Sequence, residues 1–559
     1  MSGMILTPSA VWKDFSINSD LTFEVIEEDR KDDLLITKLY LNGKTVSDGT
    51  VKIFGVLTRN VNTISQPMIL CVQDIKDGTN DALCYKLADE GYASFIVDLV
   101  GKYPGRDKYT IYPNSLSYAN YNAVEYESIS VDSDVSHTCW YEWGCVVKYA
   151  IAFAKGQRFV SSLGILGINE ASTPLWYAIA TEQGIACAVF VANAGWKGYK
   201  GIYKFESKEN SNDDAKFKFL AAVDAQAYAV HASCPVFILS PTNSERFDLD
   251  RTYDTVERIN ETHYSACDYS IGSRETVSYD CFLSALIFLN NYLFGKNMSL
   301  PSSINIKADI IDKKIMIEAL PDIKNISRLD FYVAEGDVGP QYRSWRKIET
   351  KKDLSAKYMA EYNPYRDSGM VSIFARAIYN DGFSCSSPVV YKKFDENDIE
   401  SSQKYRILYS SRLQNCESSF YPKSENVLPP YGLEIVKNTV VEEQKGPMDM
   451  YGLTCSRGIL SYKINSTKYR PEIGMLLMFD VYCKEACSFT VSLITDFYGK
   501  KMEYTCSVNV IGGDVWQNVK IPQTKFKTFE GMMLKSYDKV EVIEFYSEKP
   551  TLINNMLWV

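Results

Sequence analysis

Histidine is scarce in this sequence: 559 residues contain three, at positions His137, His231 and His263. Imidazole is the most common general base of enzymes that activate a serine. Any chemistry of that kind must therefore use one of these three positions. His231 and His263 come before predicted strands, away from the strand carboxyl ends where sites form, and His137 opens a predicted helix as a surface or capping residue. We interpret all three as non-catalytic.

Long apolar runs and a positive charge excess are also missing. No run reaches the roughly 18–20 residues that a membrane-spanning helix needs. Sixty Lys and Arg against seventy Asp and Glu give a net charge of −10, which predicts no general affinity for nucleic acid or anionic membranes. Residues 1–15 show no basic leader and no apolar signal region. We therefore expect a cytoplasmic protein without nucleic-acid or membrane partners; the sequence leaves its oligomeric state open.

Cysteine is present but unorganised. Most of the fourteen cysteines lie in apolar stretches such as residues 69–72 and 186–189, which is typical of reduced, buried thiols. Only Cys483 and Cys487 lie close together in similar surroundings. Without a second pair or a nearby histidine, their spacing is weak evidence for zinc, and we expect no metal and no cofactor.

The composition that remains is that of a globular protein of three or four domains, with 46% apolar and 23% charged residues. From Leu34 to Gly295, short apolar runs alternate with helical patterns, which predicts an α/β domain with a mostly parallel sheet, an antiparallel edge and helices on both faces. The predicted strands are Leu35–Leu41, Val51–Leu57, Met68–Val72, Ser94–Asp98, Leu163–Ile168, Cys187–Ala192, Val236–Leu239 and Tyr264–Ser270.

Four helices are predicted between these strands, each followed by a glycine that would form a left-handed cap. They are Asp81–Glu90 before Gly91, Trp140–Lys155 before Gly156, Thr173–Gln183 before Gly184, and Thr276–Phe294 before Gly295.

The pattern changes at Pro301. We predict domains at residues 1–300 (α/β), 301–394 (a β-sandwich of immunoglobulin or fibronectin type) and 404–559 (a β jelly roll), with a linker at 395–403. In the last domain the predicted strands are Met475–Tyr482, Ser488–Asp496, Glu503–Val510, Val515–Ile521, Val540–Tyr546 and Leu552–Val559.

A strand-to-helix turn follows Leu163–Ile168 with the sequence Gly167-Ile168-Asn169-Glu170-Ala171. In α/β-hydrolases the corresponding Gly-x-Ser-x-Gly turn exposes a serine nucleophile, but here Asn169 stands at that position, and an amide cannot attack a carbonyl group. Ala171 replaces the second glycine and adds strain. Ser172 lies three positions further on, where we interpret it as a residue of the first helical turn rather than a displaced nucleophile.

From residues 11–15 (Val-Trp-Lys-Asp-Phe) through Gly295, the chain resembles the α/β-hydrolase superfamily, in its acetyl xylan esterase and dienelactone hydrolase-like branch. The likeness continues into the predicted sandwich, at residues 341–346 (Gln-Tyr-Arg-Ser-Trp-Arg) and 386–388 (Ser-Ser-Pro). It covers about two-thirds of the chain. It implies an esterase fold with a serine, an acid and a histidine.

The resemblance places the acid at Ser244, after the strand that ends in Ser240-Pro241-Thr242-Asn243. Glu245 or Asp248 could replace it if the loop shifts. It places the histidine at Ser273, in the loop after the last strand. With Asn169 at the nucleophile position, all three catalytic roles are then vacant, and we interpret the chain as a degenerate hydrolase.

The resemblance also implies a remnant oxyanion hole, formed by the backbone N–H of Glu170 and one in the loop of Gln73. Asn169, Ser244 and Ser273 would leave a neutral cleft with Trp196 at its rim. Such a cleft could bind a small polar ligand, or it could be a relic filled by side chains and water.

The final domain resembles galactose-binding-like jelly rolls at residues 514–522, Phe526 and 552–559, a shape that many carbohydrate-binding modules share. Trp516 and Trp558 could stack on sugar rings, although their strand pattern favours core packing.

Three hypotheses follow. The first is an inactive α/β-hydrolase homologue that acts in ligand binding or scaffolding. The second is a carboxylesterase or deacetylase with an unusual constellation, such as Ser172, or Ser244 with Glu245. The third is a carbohydrate-binding protein that acts through its C-terminal module.

Overall fold

The computed structural model describes residues 7–80, 82–132, 134–195, 197, 214–296, 298–302, 304–322, 325–336, 339–353, 357–365, 369–400, 406–413, 419–423, 441–456 and 458–559. Contacts divide the chain into two compact units. Unit 1 comprises Met1–Ser240, Arg246–Asp268 and Asp280–Ser302. Unit 2 comprises Pro241–Glu245, Tyr269–Tyr279 and Ser303–Val559. The predicted domain boundaries at residues 300, 394 and 403 stay predictions.

A nine-stranded sheet dominates the first 302 residues. Its strands are β1 (Phe23–Lys31), β2 (Leu34–Val46), β3 (Gly49–Asn60), β4 (Gln66–Val72), β5 (Ala93–Val97), β6 (Val160–Ile168), β7 (Cys187–Val191), β8 (Val236–Pro241) and β9 (Ser265–Ser270). The eight predicted strands are therefore confirmed, and β1 was not predicted.

The strand order is β1-β2-β3-β5-β4-β6-β7-β8-β9. The pairs β1/β2, β2/β3 and β3/β5 are antiparallel, whereas β4/β5, β4/β6, β6/β7 and β7/β8 are parallel. The expectation of a mostly parallel sheet is corrected to a mixed sheet, since the antiparallel part is three pairs wide. The chain leaves β4 toward β5 on one side and β6 toward β7 on the other, so the topological switch lies between the carboxyl ends of β4 and β6.

Nine α-helices occur in the described residues. They are α1 (Pro8–Trp12), α2 (Ala82–Asp89), α3 (Ala123–Glu127), α4 (Cys139–Gly156), α5 (Pro174–Thr181), α6 (Asp214–Ala222), α7 (Ala225–Ala229), α8 (Leu249–Arg258) and α9 (Tyr279–Leu293). Three of the predicted glycine caps have the expected positive φ, at Gly91, Gly184 and Gly295. The cap predicted at Gly156 is wrong: Gly156 is the last residue of α4, and Gln157 caps it in an extended conformation.

Two glycines in β6 show that helices cover both faces of the sheet. A Cβ on Gly164 would lie 2.9 Å from Leu293 of α9, and one on Gly167 would lie 2.9 Å from Leu175 of α5. Residues three apart on a strand point to opposite faces, so α5 and α9 pack on opposite sides. Helices on both faces were predicted.

Between residues 304 and 394, unit 2 contains two antiparallel sheets. One has the order β10-β11-β15-β14, and the other the order β13-β12-β16-β17 with β18 also on β16. The strands are β10 (Ile304–Ile311), β11 (Lys314–Pro321), β12 (Ile326–Glu335), β13 (Arg346–Ile348), β14 (Lys351–Lys352), β15 (Tyr358–Tyr362), β16 (Gly369–Tyr379), β17 (Ser384–Ser386) and β18 (Val390–Phe394).

Residues 406–559, here called the C-terminal β-region, form two further sheets. Their orders are β21-β22-β29-β24-β27, with β19 also on β29, and β20-β23-β28-β25-β26. The strands are β19 (Ile407–Tyr409), β20 (Tyr421–Pro422), β21 (Glu442–Lys445), β22 (Tyr451–Thr454), β23 (Ile459–Ser461), β24 (Leu476–Cys483), β25 (Cys487–Thr495), β26 (Met502–Val510), β27 (Gln517–Pro522), β28 (Val540–Ser547) and β29 (Thr551–Trp558).

Side chains from both of these sheets share one buried cluster, which includes Leu477, Phe489, Phe545 and Trp558. Trp558 is 1% exposed, so its core-packing interpretation is confirmed. The six strands predicted between residues 475 and 559 are all present, within two residues at each end. The jelly-roll assignment itself stays a prediction.

Several chemical features of the described residues bear on function. All thirteen described cysteines are free thiols. No group of three or more His, Cys, Asp or Glu in the described ranges could hold a metal ion. Among the helices that the structure describes, none is long and apolar enough to cross a membrane.

Candidate functional site

The turn after β6 keeps the strained geometry of a nucleophile elbow. Asn169 has φ 56° and ψ −168°, a combination that residues with a side chain adopt rarely and at a cost of about 1–3 kcal/mol. A 3-10 turn, Glu170–Ser172, follows it and leads into α5. The amide thus occupies the position at which this kind of turn presents a side chain above the sheet.

The two residues that flank this elbow explain how it tolerates its sequence. A Cβ on Gly167 would lie 2.8 Å from the Cβ and Oγ of Ser172, so the strand and the following turn approach closely only because residue 167 is glycine. Ala171 lies inside the 3-10 turn and is not among the described residues with positive φ. The strain expected from Ala171 is therefore absent, and Asn169 carries it.

The side chain of Asn169 is engaged by a carboxylate. Its Nδ2 donates to Oδ2 of Asp74 at 2.5 Å, and Asn169 is 6% exposed. Asp74 lies in the loop after β4, where its other oxygen accepts the backbone N–H of Lys76 at 2.9 Å. This contact joins the carboxyl ends of β4 and β6, the switch point at which such sheets bind ligands.

Below the elbow, the hydroxyl of Ser172 both donates and accepts a hydrogen bond within the turn network. Its Oγ donates to the carbonyl of Asn169 at 2.6 Å and accepts Nδ2 of Asn193 at 2.6 Å. Asn193 Nδ2 also donates to the Asn169 carbonyl at 2.9 Å. Ser172 is completely buried, and it lies in the first turn before α5, as predicted.

Glu170, the residue after the elbow position, holds a buried charge pair. Its side chain is 5% exposed and forms an ion pair with the ammonium of Lys197. Nη1 of Arg246 lies 3.9 Å from its second oxygen. A buried carboxylate is tolerated because cations compensate it.

Three aromatic rings surround the Lys197 ammonium. Its Nζ lies 5.3 Å from the ring centre of Trp140, 5.4 Å from Tyr126 and 5.6 Å from Phe219, and it donates to the carbonyl of Tyr126 at 3.1 Å. Rings at these distances attract a cation through their electron-rich faces. Lys197 thus plays the role that a cationic ligand would play in such an aromatic cage.

The backbone of Lys197 is fixed by Asp224. Oδ2 of Asp224 accepts the N–H of Lys197 at 2.9 Å, and Oδ1 accepts the N–H of Gln226 at the start of α7. Burial raises the pKa of Asp224 to about 6, although both backbone N–H groups oppose this effect. The loop after β7 is therefore anchored at the point where its lysine enters the pocket.

Together these groups leave almost no free space. The pocket that Glu170, Lys197, Trp140 and Asp224 help to line has a volume of about 20 Å³. A single water needs roughly 10–15 Å³ by this kind of measure. The volume therefore suits one water and excludes an acetyl group or a sugar.

Two further residues that the sequence suggested for the site, Gln73 and Asp248, form local hydrogen bonds in unit 1. The side chain of Gln73 turns into its own loop, where Nε2 donates to the carbonyl of Asn80 at 3.1 Å. Asp248, one of the alternatives for the acid, caps α8 by accepting the N–H of Asp250 at 2.8 Å. Trp196, expected at the rim, lies outside the described residues.

Ser244 and Ser273 lie in two loops of unit 2 that bond to each other. The N–H of Asn243 donates to the carbonyl of Ser273 at 2.9 Å. The Oγ of Ser273 is 2.6 Å from that of Ser270. Ser244 is buried, and the neighbouring Glu245 is exposed. The structure thus brings two of the three predicted triad positions into adjacent loops of one unit, while Asn169 belongs to the other unit.

Both loops are tied to the β-domains. Asn243 Nδ2 donates to the carbonyls of Gln341 at 3.0 Å and Arg343 at 2.9 Å, and Tyr498 donates to the Asn243 carbonyl at 2.7 Å. A Cβ on Gly272, whose φ is +75°, would lie 1.9 Å from the ring of Tyr421. These loops therefore serve packing within unit 2.

The histidines lie where the sequence suggested. His231 and His263 precede β8 and β9, and His137 ends a 3-10 turn and is exposed. In the part of the chain that the structure describes, the side chain of Asn169 contacts no histidine.

The sequence interpretation missed Asp74, Asn193 and Lys197 as site residues. Each follows a parallel strand at its carboxyl end, β4 for Asp74 and β7 for the other two. Because ligand sites form at the carboxyl ends of parallel strands, this position could have identified the three residues as candidates. No local sequence pattern indicated that the side chains of Asp74 and Asn169 would pair, because the two residues are 95 positions apart.

A second, larger cavity lies in the C-terminal β-region. Its volume is about 530 Å³, and Tyr482, Cys483, Lys484, Asp514 and Lys549 are among its lining residues. Volumes of this size accommodate small ligands.

Trp516 is half-buried beside this cavity and contacts several of its lining residues. Its Nε1 donates to the carbonyl of Pro447 at 3.0 Å, and its ring centre lies 5.8 Å from that of Tyr482. A Cβ on Gly446 would lie 2.8 Å from the Trp516 ring. Trp516 therefore supports the cavity wall, in contrast to the buried Trp558.

Comparison with known proteins gives structural neighbours only. No family model matches the sequence, and no curated protein matches it. Three solved structures are similar to about half of this chain. An acetyl xylan esterase from Paenibacillus sp. R4 is 11% identical with a TM-score of 0.39, over 51% of this chain and 92% of that one. Acetyl xylan esterase 1 from Thermoanaerobacterium sp. JW/SL YS485 is 12% identical with a TM-score of 0.38, over 50% and 89%. A glucuronoyl esterase from Solibacter usitatus is 11% identical with a TM-score of 0.36, over 50% and 90%.

Proposed function

We propose that this protein is an α/β-hydrolase homologue without hydrolase activity, and that it acts by binding or as a scaffold. The observation that carries the proposal is the contact of the Asn169 amide with Asp74 at the elbow. In a serine hydrolase, a hydroxyl at that position donates to an imidazole, which takes up its proton. An amide that donates to a carboxylate supplies neither the hydroxyl nucleophile nor the imidazole base of that mechanism.

The filled pocket supports the same conclusion. Lys197 occupies the space beside Glu170, and the remaining volume of about 20 Å³ is too small to hold the acyl group of an ester next to the elbow. Of the two interpretations of the old cleft, we therefore favour the relic over the ligand site.

A serine-reactive probe tests this proposal. We expect a fluorophosphonate to leave the folded full-length chain unlabelled, and N169S to remain unlabelled as well, because the carboxylate of Asp74 is a weaker base than the imidazole that activates a serine hydroxyl. S172A is the matched control, since Ser172 is the nearest hydroxyl to the elbow. Stoichiometric labelling of the wild type that S172A abolishes would establish the carboxylesterase or deacetylase alternative and refute the proposal.

The C-terminal cavity favours carbohydrate binding as a second candidate function. Sugar sites commonly combine an aromatic surface with hydroxyl and charged groups, and Tyr482, Trp516 and Asp514 supply these around a volume of about 530 Å³. A glycan array probed with the full-length chain would test it. We expect W516A to lose any binding and F529A, which removes a fully exposed ring elsewhere in the same region, to retain it. A flat response from the folded wild type would count against this function.

A further inference from the structure

Two cysteines approach each other at the wall of the C-terminal cavity. Cys483 ends β24 and Cys487 begins β25, and these strands belong to different sheets. Their sulfur atoms lie 3.4 Å apart. We propose that Cys483 and Cys487 form a redox-convertible pair, which a hydroperoxide oxidises to a disulfide that joins the two sheets at this corner.

The backbone holds the pair in place. The N–H of Gly513 donates to the carbonyl of Cys483 at 3.2 Å, and a Cβ on Gly512 would lie 2.5 Å from the backbone nitrogen of Ala486. The short connection between the cysteines is therefore packed against a glycine turn. A disulfide needs a sulfur–sulfur distance of about 2.0 Å, and the two sulfurs already lie within 3.4 Å.

The two sulfurs differ in access, which assigns their roles. Cys487 is partly exposed, and the hydroxyl of Ser547 donates to its sulfur at 3.4 Å, which fixes the position of that sulfur at the surface. Cys483 is 1% exposed, and burial together with the hydrogen bond to Cys487 raises its pKa. Cys487 is thus the thiol that reacts first, and Cys483 is the one that resolves the product.

The steps balance without a cofactor. The Cys487 thiolate attacks one oxygen of the hydroperoxide, the O–O bond breaks, and the sulfur becomes a sulfenic acid while the peroxide is reduced to water or an alcohol. The sulfur of Cys483 then attacks the sulfenic sulfur, the S–O bond breaks, and water leaves with the thiol proton. Two thiols are oxidised for each hydroperoxide reduced.

Other thiols provide the contrast. After burial, the nearby thiol of Cys84 contributes to the raised pKa of Cys71, and the thiol of Cys234 contributes to that of Cys187. All four are 0–1% exposed, so an oxidant in solution does not reach them. Cys506 is partly exposed but has no cysteine neighbour among the described residues. At Cys487, partial exposure of one thiol coincides with the proximity of a second, Cys483.

The experiment uses the reduced full-length chain and hydrogen peroxide, followed by alkylation and peptide mass spectrometry. Trypsin cleaves after Lys484, between the two cysteines, so the disulfide appears as two cross-linked peptides. We expect this species to form at peroxide concentrations that leave Cys506 alkylatable, and to disappear on reduction. Oxidation of Cys506 while Cys483 and Cys487 remain separately alkylatable would overturn the proposal.

Variants separate the two roles. In C483S, we expect a sulfenic acid at Cys487 that a dimedone probe traps, because the resolving thiol is gone. In C487S, we expect no dimedone adduct at Cys483 and full alkylation after unfolding. An adduct at Cys483 instead would refute the assigned roles.

A measurement without oxidation tests the proximity itself. Phenylarsine oxide bridges two neighbouring thiols with loss of water. We expect one equivalent to bind the wild type and C506S, and the binding to be lost in C487S. Failure of the wild type to bind would overturn the pairing. Since this site belongs to the C-terminal β-region, neither result depends on whether the elbow in unit 1 is catalytic.

Discussion

The pocket at the elbow and the cavity in the C-terminal β-region differ in how much free volume they enclose. The first has charged groups, three aromatic rings and a volume of about 20 Å³. The second has a volume of about 530 Å³. Side chains nearly fill the pocket beside the elbow, whereas the space that a ligand could enter lies in the C-terminal β-region.

This difference indicates that the two places contribute differently to folding. Glu170 in the pocket is buried and pairs with the partly exposed Lys197, so loss of the lysine leaves a buried carboxylate with much less compensation. Around the cavity, Lys484 and Asp514 are exposed, so water can replace what a substitution removes. We expect pocket substitutions to change stability and cavity substitutions to leave it nearly unchanged.

The largest expected effect is that of K197M. It removes the nearer of two cations beside the buried Glu170 carboxylate, and since Arg246 remains 3.9 Å away, we expect a loss of about 3 kcal/mol, at the low end for a broken buried pair. Urea denaturation measures the loss as a lower midpoint. The matched control is K218M, whose partner Asp214 is 2.9 Å away on an exposed helical turn and which should cost less than about 1 kcal/mol. Equal midpoints for K197M and K218M would show that the pocket pair does not stabilise the fold.

The pH dependence of stability gives a second contrast. The folded pKa of Asp224 is raised to about 6, against about 3.9 for an unfolded aspartate. The folded state therefore holds a proton that the unfolded state has lost, and the stabilisation associated with it is complete below pH 4 and disappears as the pH rises through 6.

We expect the difference in unfolding free energy between wild type and D224N to change over this range by about 2–3 kcal/mol, with the wild type losing stability relative to the variant. Urea titrations at pH 4, 5, 6 and 7 measure it. A difference that is constant with pH would show that Asp224 is ionised normally in the folded protein.

S172A should have a smaller effect. It removes the hydroxyl that donates to Asn169 O and accepts Asn193 Nδ2, a loss of about 1–2 kcal/mol because Asn193 keeps its bond to the Asn169 carbonyl. Thermal unfolding followed by circular dichroism measures it. The control is S488A on the exposed side of β25, which should be neutral; if both behave alike, the network below the elbow is not stabilising.

The smallest effect is predicted for the cavity. K484A removes an exposed side chain at its wall, and we expect a change in unfolding free energy within about 0.5 kcal/mol. Calorimetry beside K197M would compare the two places directly. A loss above about 1 kcal/mol would mean that the cavity, too, is held together by its charged lining.

The fold could be predicted where apolar runs are strong. Strand β4 is wholly buried and β6 is buried from Leu163 onward, and the predicted runs Met68–Val72 and Leu163–Ile168 contain no charged or hydroxyl side chain. By contrast, β1 was missed because its residues are all exposed and its sequence, FEVIEEDRK, is mostly charged. Its partner β2 determines its conformation through pairing, which one segment alone does not reveal.

The candidate site shows the same limit. The elbow position of Asn169 follows from a local pattern, a strand followed by a tight turn and a helix, and the structure has that turn. Lys197 enters the pocket because Asp224 accepts its backbone N–H and three rings from distant segments surround its ammonium group. Contacts between residues far apart in sequence decide whether a pocket is open or filled, and periodicity contains no information about them.

Gly272 and Tyr421 show what such packing means for the history of the chain. Because a methyl group at 272 would overlap the Tyr421 ring, neither position can change freely while the other stays. Among relatives of this protein, we expect the two to vary together: those with a side chain at 272 should have a smaller residue at 421. Through that coupling, the loop after β9 depends on the residue that packs against it, and a lineage with this arrangement would need at least two coordinated changes to remodel it.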